Sequence, residues 1–157
     1  MFEVLVFVYE HYWRGDACPE LQSLERKLSA HGFEPEQIHE ALVWLDGLNF
    51  AAQNAAATEE HPAVAASGSS LRVYSPAEQE HLGAECLGFI AFLAGAGVLP
   101  PIMREIVIDR AMAAPGDPVT LDDLKIIVLM VYWSFGRQPD ALVLDELCDS
   151  PETRVPH

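Results

Sequence analysis

The stretch that most constrains the fold is Thr120-Leu121-Asp122-Asp123-Leu124-Lys125, which runs on into Ile126 through Trp133 without another charge. Thr120 reads as a helix N-cap, with Asp123 in the N3 position that a capping box usually gives to Glu or Gln. Asp122 and Asp123 also set negative charge against the positive end of the helix dipole. At about 100° per residue the charges occupy only the first turn, and beyond it every direction around the axis carries an apolar side chain. A helix of this kind must be surrounded by protein or lipid. The run falls well short of the roughly 20 residues that a bilayer requires, so its surroundings are other helices. The spacing therefore predicts a core helix over residues 121–134, inside a bundle.

The rest of the chain supplies candidates for that bundle. A helix is predicted over residues 2–14, polar only at Glu3 and Glu10, which lie seven apart and on one strip. The opening residues lack a basic n-region and a small-residue cleavage site, so they read as a structural helix, not a signal peptide. Leu21, Leu24 and Leu28 mark a second helix over 20–30, stopped by His31-Gly32. A third, over 35–48, has Pro35 in its first turn and turns Ile38, Ala41, Leu42, Leu45 and Leu48 inward. Residues 1–50 thus predict a three-helix subdomain resembling a helix-turn-helix.

Residues 51–70 are Ala-rich, end in Ser67-Gly68-Ser69-Ser70, and read as a flexible loop. Leu71-Arg72-Val73-Tyr74 has the alternation of a strand. The segments flanking the loop are expected to pair as a wing, at most a short strand pair, which would make the first half a winged helix. From 71 to 149 a helical bundle is expected around the core helix. Ser75, Pro76 and Glu78 form a helix-start signal, with one short helix to about residue 82 and another over 84–94. Gly95-Ala96-Gly97 ends that one, Pro101 opens a helix to about 113, and a last helix covers 140–148. Residues 150–157 are expected to be a frayed tail. The expected class is mainly all-α.

Charge narrows the partners. Acids outnumber bases 24 to 9, a net charge of −15, which repels phosphate backbones and favours basic partners. The plainer reading is solubility for a surface around apolar helices. Cys18, Cys86 and Cys148 form no Cys-x-x-Cys and are odd in number, so reduced thiols and a cytoplasmic location are expected. No membrane partner is expected.

Chemistry is sparse. The six histidines have no ligand spacing, and no phosphate-binding glycine motif occurs; no cofactor is expected. One polar cluster is dense: Arg104, Glu105, Asp109 and Arg110 on one helix, with Lys125 at the mouth of the core helix. Glu105 and Asp109 are like charges at i, i+4, a mildly destabilising choice, and adjacent carboxylates suit acid/base work or a metal. The competing reading is a structural ion network neutralised by the two arginines and Lys125. On the third helix, Val43 and Trp44 lie off the inward stripe and form a candidate interface. That helix carries Glu36, Glu40 and Asp46 and no Lys or Arg, so as a recognition helix it would repel the phosphates that supply most affinity for DNA.

Several segments together resemble one family. They are Met1-Phe2-x-Val4-Leu5; Leu28-x-x-x-Gly32-Phe33 with Ile38-x-x-Ala41-Leu42-x-Trp44-Leu45; Arg72-Val73-Tyr74-Ser75-Pro76-x-Glu78; Gly88-Phe89-x-x-x-Leu93; Arg104-Glu105-x-Val107-Ile108-Asp109-Arg110; and Leu121-Asp122-Asp123-Leu124-Lys125-x-x-x-Leu129-Met130. The combination is similar to the Smg family of small acidic bacterial proteins and spans nearly the whole chain, with 51–66 and the tail after Asp149 idiosyncratic. The family has no established activity, so the resemblance assigns no catalytic residue. Its gene neighbourhood implies a bacterial cytosolic role near DNA processing or translation, by association only. The leading expectation is a non-enzymatic acidic protein–protein interaction module for a basic protein or protein–nucleic acid assembly. The alternatives are nucleic-acid binding through the winged-helix-like half, and a small enzyme or metal-binding protein using Glu105 and Asp109.

Overall fold

The computed structural model describes residues 1–12, 21–59, 73–116 and 118–136. These residues form six helices: α1 (Phe2–Tyr12), α2 (Leu21–Ala30), α3 (Pro35–Glu59), α4 (Pro76–Gly95), α5 (Pro101–Met112) and α6 (Leu121–Ser134). The expected last helix over 140–148, the tail, and residues 60–72 lie outside the described residues.

α6 begins as its sequence demands, with the Thr120 hydroxyl accepting the Asp123 amide at 3.2 Å. From Leu124 to Tyr132 only Ile126 is less than buried. α1, α3, α4 and α5 all pack on it. Burying each of its large aliphatic side chains contributes about 1.5–3 kcal/mol. α1, α4 and α5 are the neighbours its apolar circumference calls for. The contact with α3 is an addition that periodicity alone does not reveal. Tyr132, near the far end, donates its hydroxyl to the Val98 carbonyl between α4 and α5.

No wing forms among the described residues. No strand occurs among the described residues; Val73 and Tyr74 are irregular. α3 instead runs on past Leu48 to Glu59, a single helix of 25 residues. The physical reason lies in the alanines of 51–57, the best helix formers, with no Gly or Pro between Gly47 and Glu59 to stop propagation. The all-α class therefore holds, and the winged-helix expectation does not. α2 and α3 form a helical hairpin. Gly32 takes φ 89° at the turn and Phe33 donates back to the Leu28 carbonyl, the glycine-closed helix end of a Schellman turn. Phe7 of α1 ties this turn down: its ring lies 3.9 Å from that of His11, 4.4 Å from His31 and 5.6 Å, edge-on, from Phe33.

α4 opens on the capping box read from its sequence, with Ser75 and Glu78 exchanging side-chain and backbone hydrogen bonds. It is kinked where two helices are expected to meet, because Gly83 adopts φ 73°, a conformation that other residues pay about 1 kcal/mol or more to enter. The kink frees the His81 carbonyl, which accepts the Val119 amide at 2.8 Å. The Cys86 thiol donates to the Val119 carbonyl at 3.3 Å. His81 reaches the Ala111 carbonyl at the end of α5. One break in one helix thus seats the entry to α6 and the exit from α5.

Burial, with Glu85 and Asp123 adding smaller like-charge contributions, pushes the Cys86 thiol up to about 11. A pKa raised above the unfolded value contributes stability that is complete below the unfolded thiol pKa, about 8.5, and is lost as pH rises toward the folded value. In a Cys18→Ser/Cys148→Ser background, Cys86 should resist iodoacetamide at pH 8 until urea unfolds the chain. Urea midpoints should then fall between pH 9 and 11, and less so in a further Cys86→Ala variant. Rapid alkylation of the native protein would contradict this placement.

Candidate functional site

On α3, Glu36, Glu40, Val43, Gly47, Phe50 and Asn54 follow one another at alternating steps of four and three, so they line one face at about 100° per residue. The opposite face, Ile38, Ala41, Leu45, Leu48 and Ala55, is the one buried in the core. The outward face is therefore fixed by the inward one. On it, Val43 is 59 % and Phe50 67 % exposed.

Trp44 sits at the border between the two faces. It does not join an exposed edge with Val43: it is buried, 3 % exposed, and its indole nitrogen donates to the Arg110 carbonyl of α5 at 3.0 Å. Arg110 answers by donating one terminal guanidinium nitrogen to the Trp44 carbonyl at 3.3 Å. Its Nε and other terminal nitrogen both donate to Asp109 Oδ2, at 3.0 and 2.9 Å. Gly47 makes this clasp possible, since a Cβ built there would fall inside the guanidinium. The structure thus joins the two candidates that the sequence kept apart, the α3 edge and the α5 cluster, through one reciprocal contact.

Beside the clasp opens a groove of about 620 Å³. His39, Glu40 and Val43 form its α3 wall, Met1 contributes from just before α1, and Ala113 and Pro115 close it beyond the end of α5. Sequence reasoning missed Gly47 and His39 as residues lining this groove, and Phe50 as a member of the outward face beside it. The stepping from Glu36 to Asn54 was the available signal, but only for a helix taken past Leu48.

The α5 carboxylates behave differently from a catalytic pair. Glu105 and Asp109 are exposed and each meets the arginine beside it in sequence, Glu105 with Arg104 at 3.4 Å and Asp109 with Arg110 at 2.9 Å. Neighbouring arginines at this distance hold both carboxylates in ion pairs on the helix surface. Arg104 Nε is buried without a hydrogen-bond partner, while a terminal nitrogen of its guanidinium serves Glu105. Lys125 is buried with its ammonium 5.8 Å from the centroid of the Phe89 ring on α4, a separation at which the ring face attracts a cation. Among the described residues no group of three His, Cys, Asp or Glu side chains is placed to hold a metal ion. No helix among them is long and apolar enough to cross a membrane.

Fold and groove define a small protein whose described residues are all-α, with exposed acidic and apolar side chains side by side on the outward face of α3. The chain belongs to the Smg family: the family model described as "Protein of unknown function (DUF494)" matches residues 1–157. It is 59 % identical to a "Protein Smg homolog" of Leptothrix cholodnii and 57 % identical to one of Methylibium petroleiphilum, each over 100 % of both chains. A "Protein Smg homolog" of Azoarcus sp. is 47 % identical over 152 residues, 97 % of this chain and 95 % of that one. The relatives are bacterial. No solved structure matches the chain significantly.

Proposed function

We propose that the protein is a non-enzymatic interaction module of the bacterial cytoplasm that engages a basic protein, alone or within a protein–nucleic acid assembly. The observation that carries this reading is the outward face of α3, where two large apolar side chains stand exposed among Glu36, Glu40 and Asp46 with no Lys or Arg on the helix. An acidic surface of this kind attracts basic partners over roughly a Debye length and rejects phosphate backbones. Direct nucleic-acid binding through α3 is disfavoured by the same charges. An acid/base role for Glu105 and Asp109 is disfavoured by their arginine partners.

The test is capture from a bacterial lysate at low and high salt, with wild type beside a Val43→Asp/Phe50→Asp double variant. The expected outcome is a basic protein retained by wild type at low salt, released at high salt, and lost from the variant. Equal recovery by both proteins, or no salt-sensitive partner at all, would overturn the reading.

A further inference from the structure

We infer that the outward face of α3 and the adjoining groove dock one amphipathic helix of a basic partner, apolar residues inward and Lys or Arg along its flanks. The inference rests on the interaction-module reading and specifies the form of the ligand.

The argument starts from spacing. Val43 and Phe50 are seven residues apart on one helix, which is about two turns or 10.5 Å. A second helix presents apolar side chains at the same repeat, so a stripe stepped by three and four on one helix is met by a like stripe on another. Between the two apolar residues lies Gly47, over which the Arg110 guanidinium is laid. That guanidinium is already committed to Asp109 and to the Trp44 carbonyl. It gives the middle of the stripe a flat floor in place of a projecting side chain. The groove beside Val43, with Met1, Ala113 and Pro115 among its walls, offers a recess for one large apolar side chain of the incoming helix.

Charge then selects among occupants. At about 100° per residue, Glu40 flanks the apolar pair on one side and Asp46 on the other, with Glu36 beyond Val43 toward the N-terminus of α3. A second copy of this chain would bring the same acids against themselves across a two-fold axis, where like charges repel. A nucleic acid would meet carboxylates where it needs cations. A helix with an apolar stripe and basic flanks satisfies both components of the surface at once.

The test uses the full chain and fluorescence anisotropy of a labelled synthetic helix of about 18 residues, built from Leu at heptad a and d positions with Lys elsewhere. Its controls are a scrambled peptide of the same composition, a version with Glu for Lys, and a DNA duplex. The protein variants are Val43→Asp, Phe50→Asp and Glu36→Lys/Glu40→Lys. Phe92→Asp, at an exposed apolar residue of α4, is the control for non-specific greasiness; circular dichroism checks that each variant is folded.

The amphipathic basic peptide should bind at least about tenfold tighter than its scramble, with each α3 variant weakening it about tenfold and Phe92→Asp changing it less than about twofold. The Glu36→Lys/Glu40→Lys protein should also show a flatter salt dependence. Equal binding of the scramble, equal loss in Phe92→Asp, tighter binding of the duplex, or a dimer in light scattering that Phe50→Asp dissociates would each overturn the inference. Failure of the peptide while the lysate partner is still captured through Val43 and Phe50 removes the helical ligand and leaves the interaction module standing. Failure of both removes both.

Discussion

Replacing Trp44 by alanine should cost the fold about 3–5 kcal/mol, the range for deleting a large buried aromatic side chain. Trp44 is buried between α3 and α5, and its loss opens a cavity at a point where the two helices exchange side-chain and backbone hydrogen bonds. The Arg110 carbonyl loses its indole donor at the same time, and an unmet buried acceptor adds to the penalty. Trp44→Phe separates the two contributions. It keeps most of the buried ring, forfeits the N–H, and should cost about 1–3 kcal/mol. Urea denaturation followed by circular dichroism reads both, without relying on the fluorophore being changed. A Trp44→Ala midpoint within about 1 kcal/mol of wild type would show that the indole is not seated against Arg110.

A second substitution should abolish folding outright. Ile127 lies in the middle of α6 with 0 % exposure, on a helix contacted by α1, α3, α4 and α5. Ile127→Asp places a carboxylate in an apolar interior, about 200° around the helix from Lys125. Unpaired burial of such a group is costly enough that the side chain neutralises or the structure opens, and whole domains are stable by only about 5–15 kcal/mol. The expected result is loss of the cooperative urea transition and of monomeric material in light scattering. Ile127→Val, which removes one methyl group, should cost only about 0.5–1.5 kcal/mol and keep the transition. A folded, cooperative Ile127→Asp protein would mean that α6 is not enclosed.

The two positions differ in how far the sequence reveals them. Ile127 is legible because enclosure follows from the pattern itself: no direction around α6 is polar after its first turn. The same local logic reveals the Ser75–Glu78 box, the break at Gly83 and the start of α5 at Pro101, each fixed by residues within a few positions. Trp44 is not legible in this way. Its place at the edge of the α3 stripe depends on Arg110, which is 66 residues away in the chain, and no periodicity couples them. The extension of α3 was hidden for another reason. Alanine is small enough to suit a loop by composition, yet its propensity favours helix wherever a helix already arrives from the N-terminal side. That error concealed the candidate site as well, because Phe50 joins Val43 on one face only if the helix continues past Leu48. The α5 cluster was visible as a set of residues, but pairing within it depends on rotamers that spacing does not determine.

The seating of α1 on α6 carries a consequence for how the chain is made. α1 packs on α3 and also on α6, more than 100 residues downstream in sequence, so the α1–α6 part of the core closes only after α6 has been synthesised and released from the ribosome. Contacts of such sequence separation form late, since the entropy of closing the loop must be met before they contribute. For most of translation the first helix is therefore an apolar segment without its final neighbour, and nascent chains in that state are prone to aggregation. Of the six helices described, α1 is made first and is among the last to be settled, which makes biogenesis sensitive to elongation rate and to chaperones that shield a hydrophobic segment.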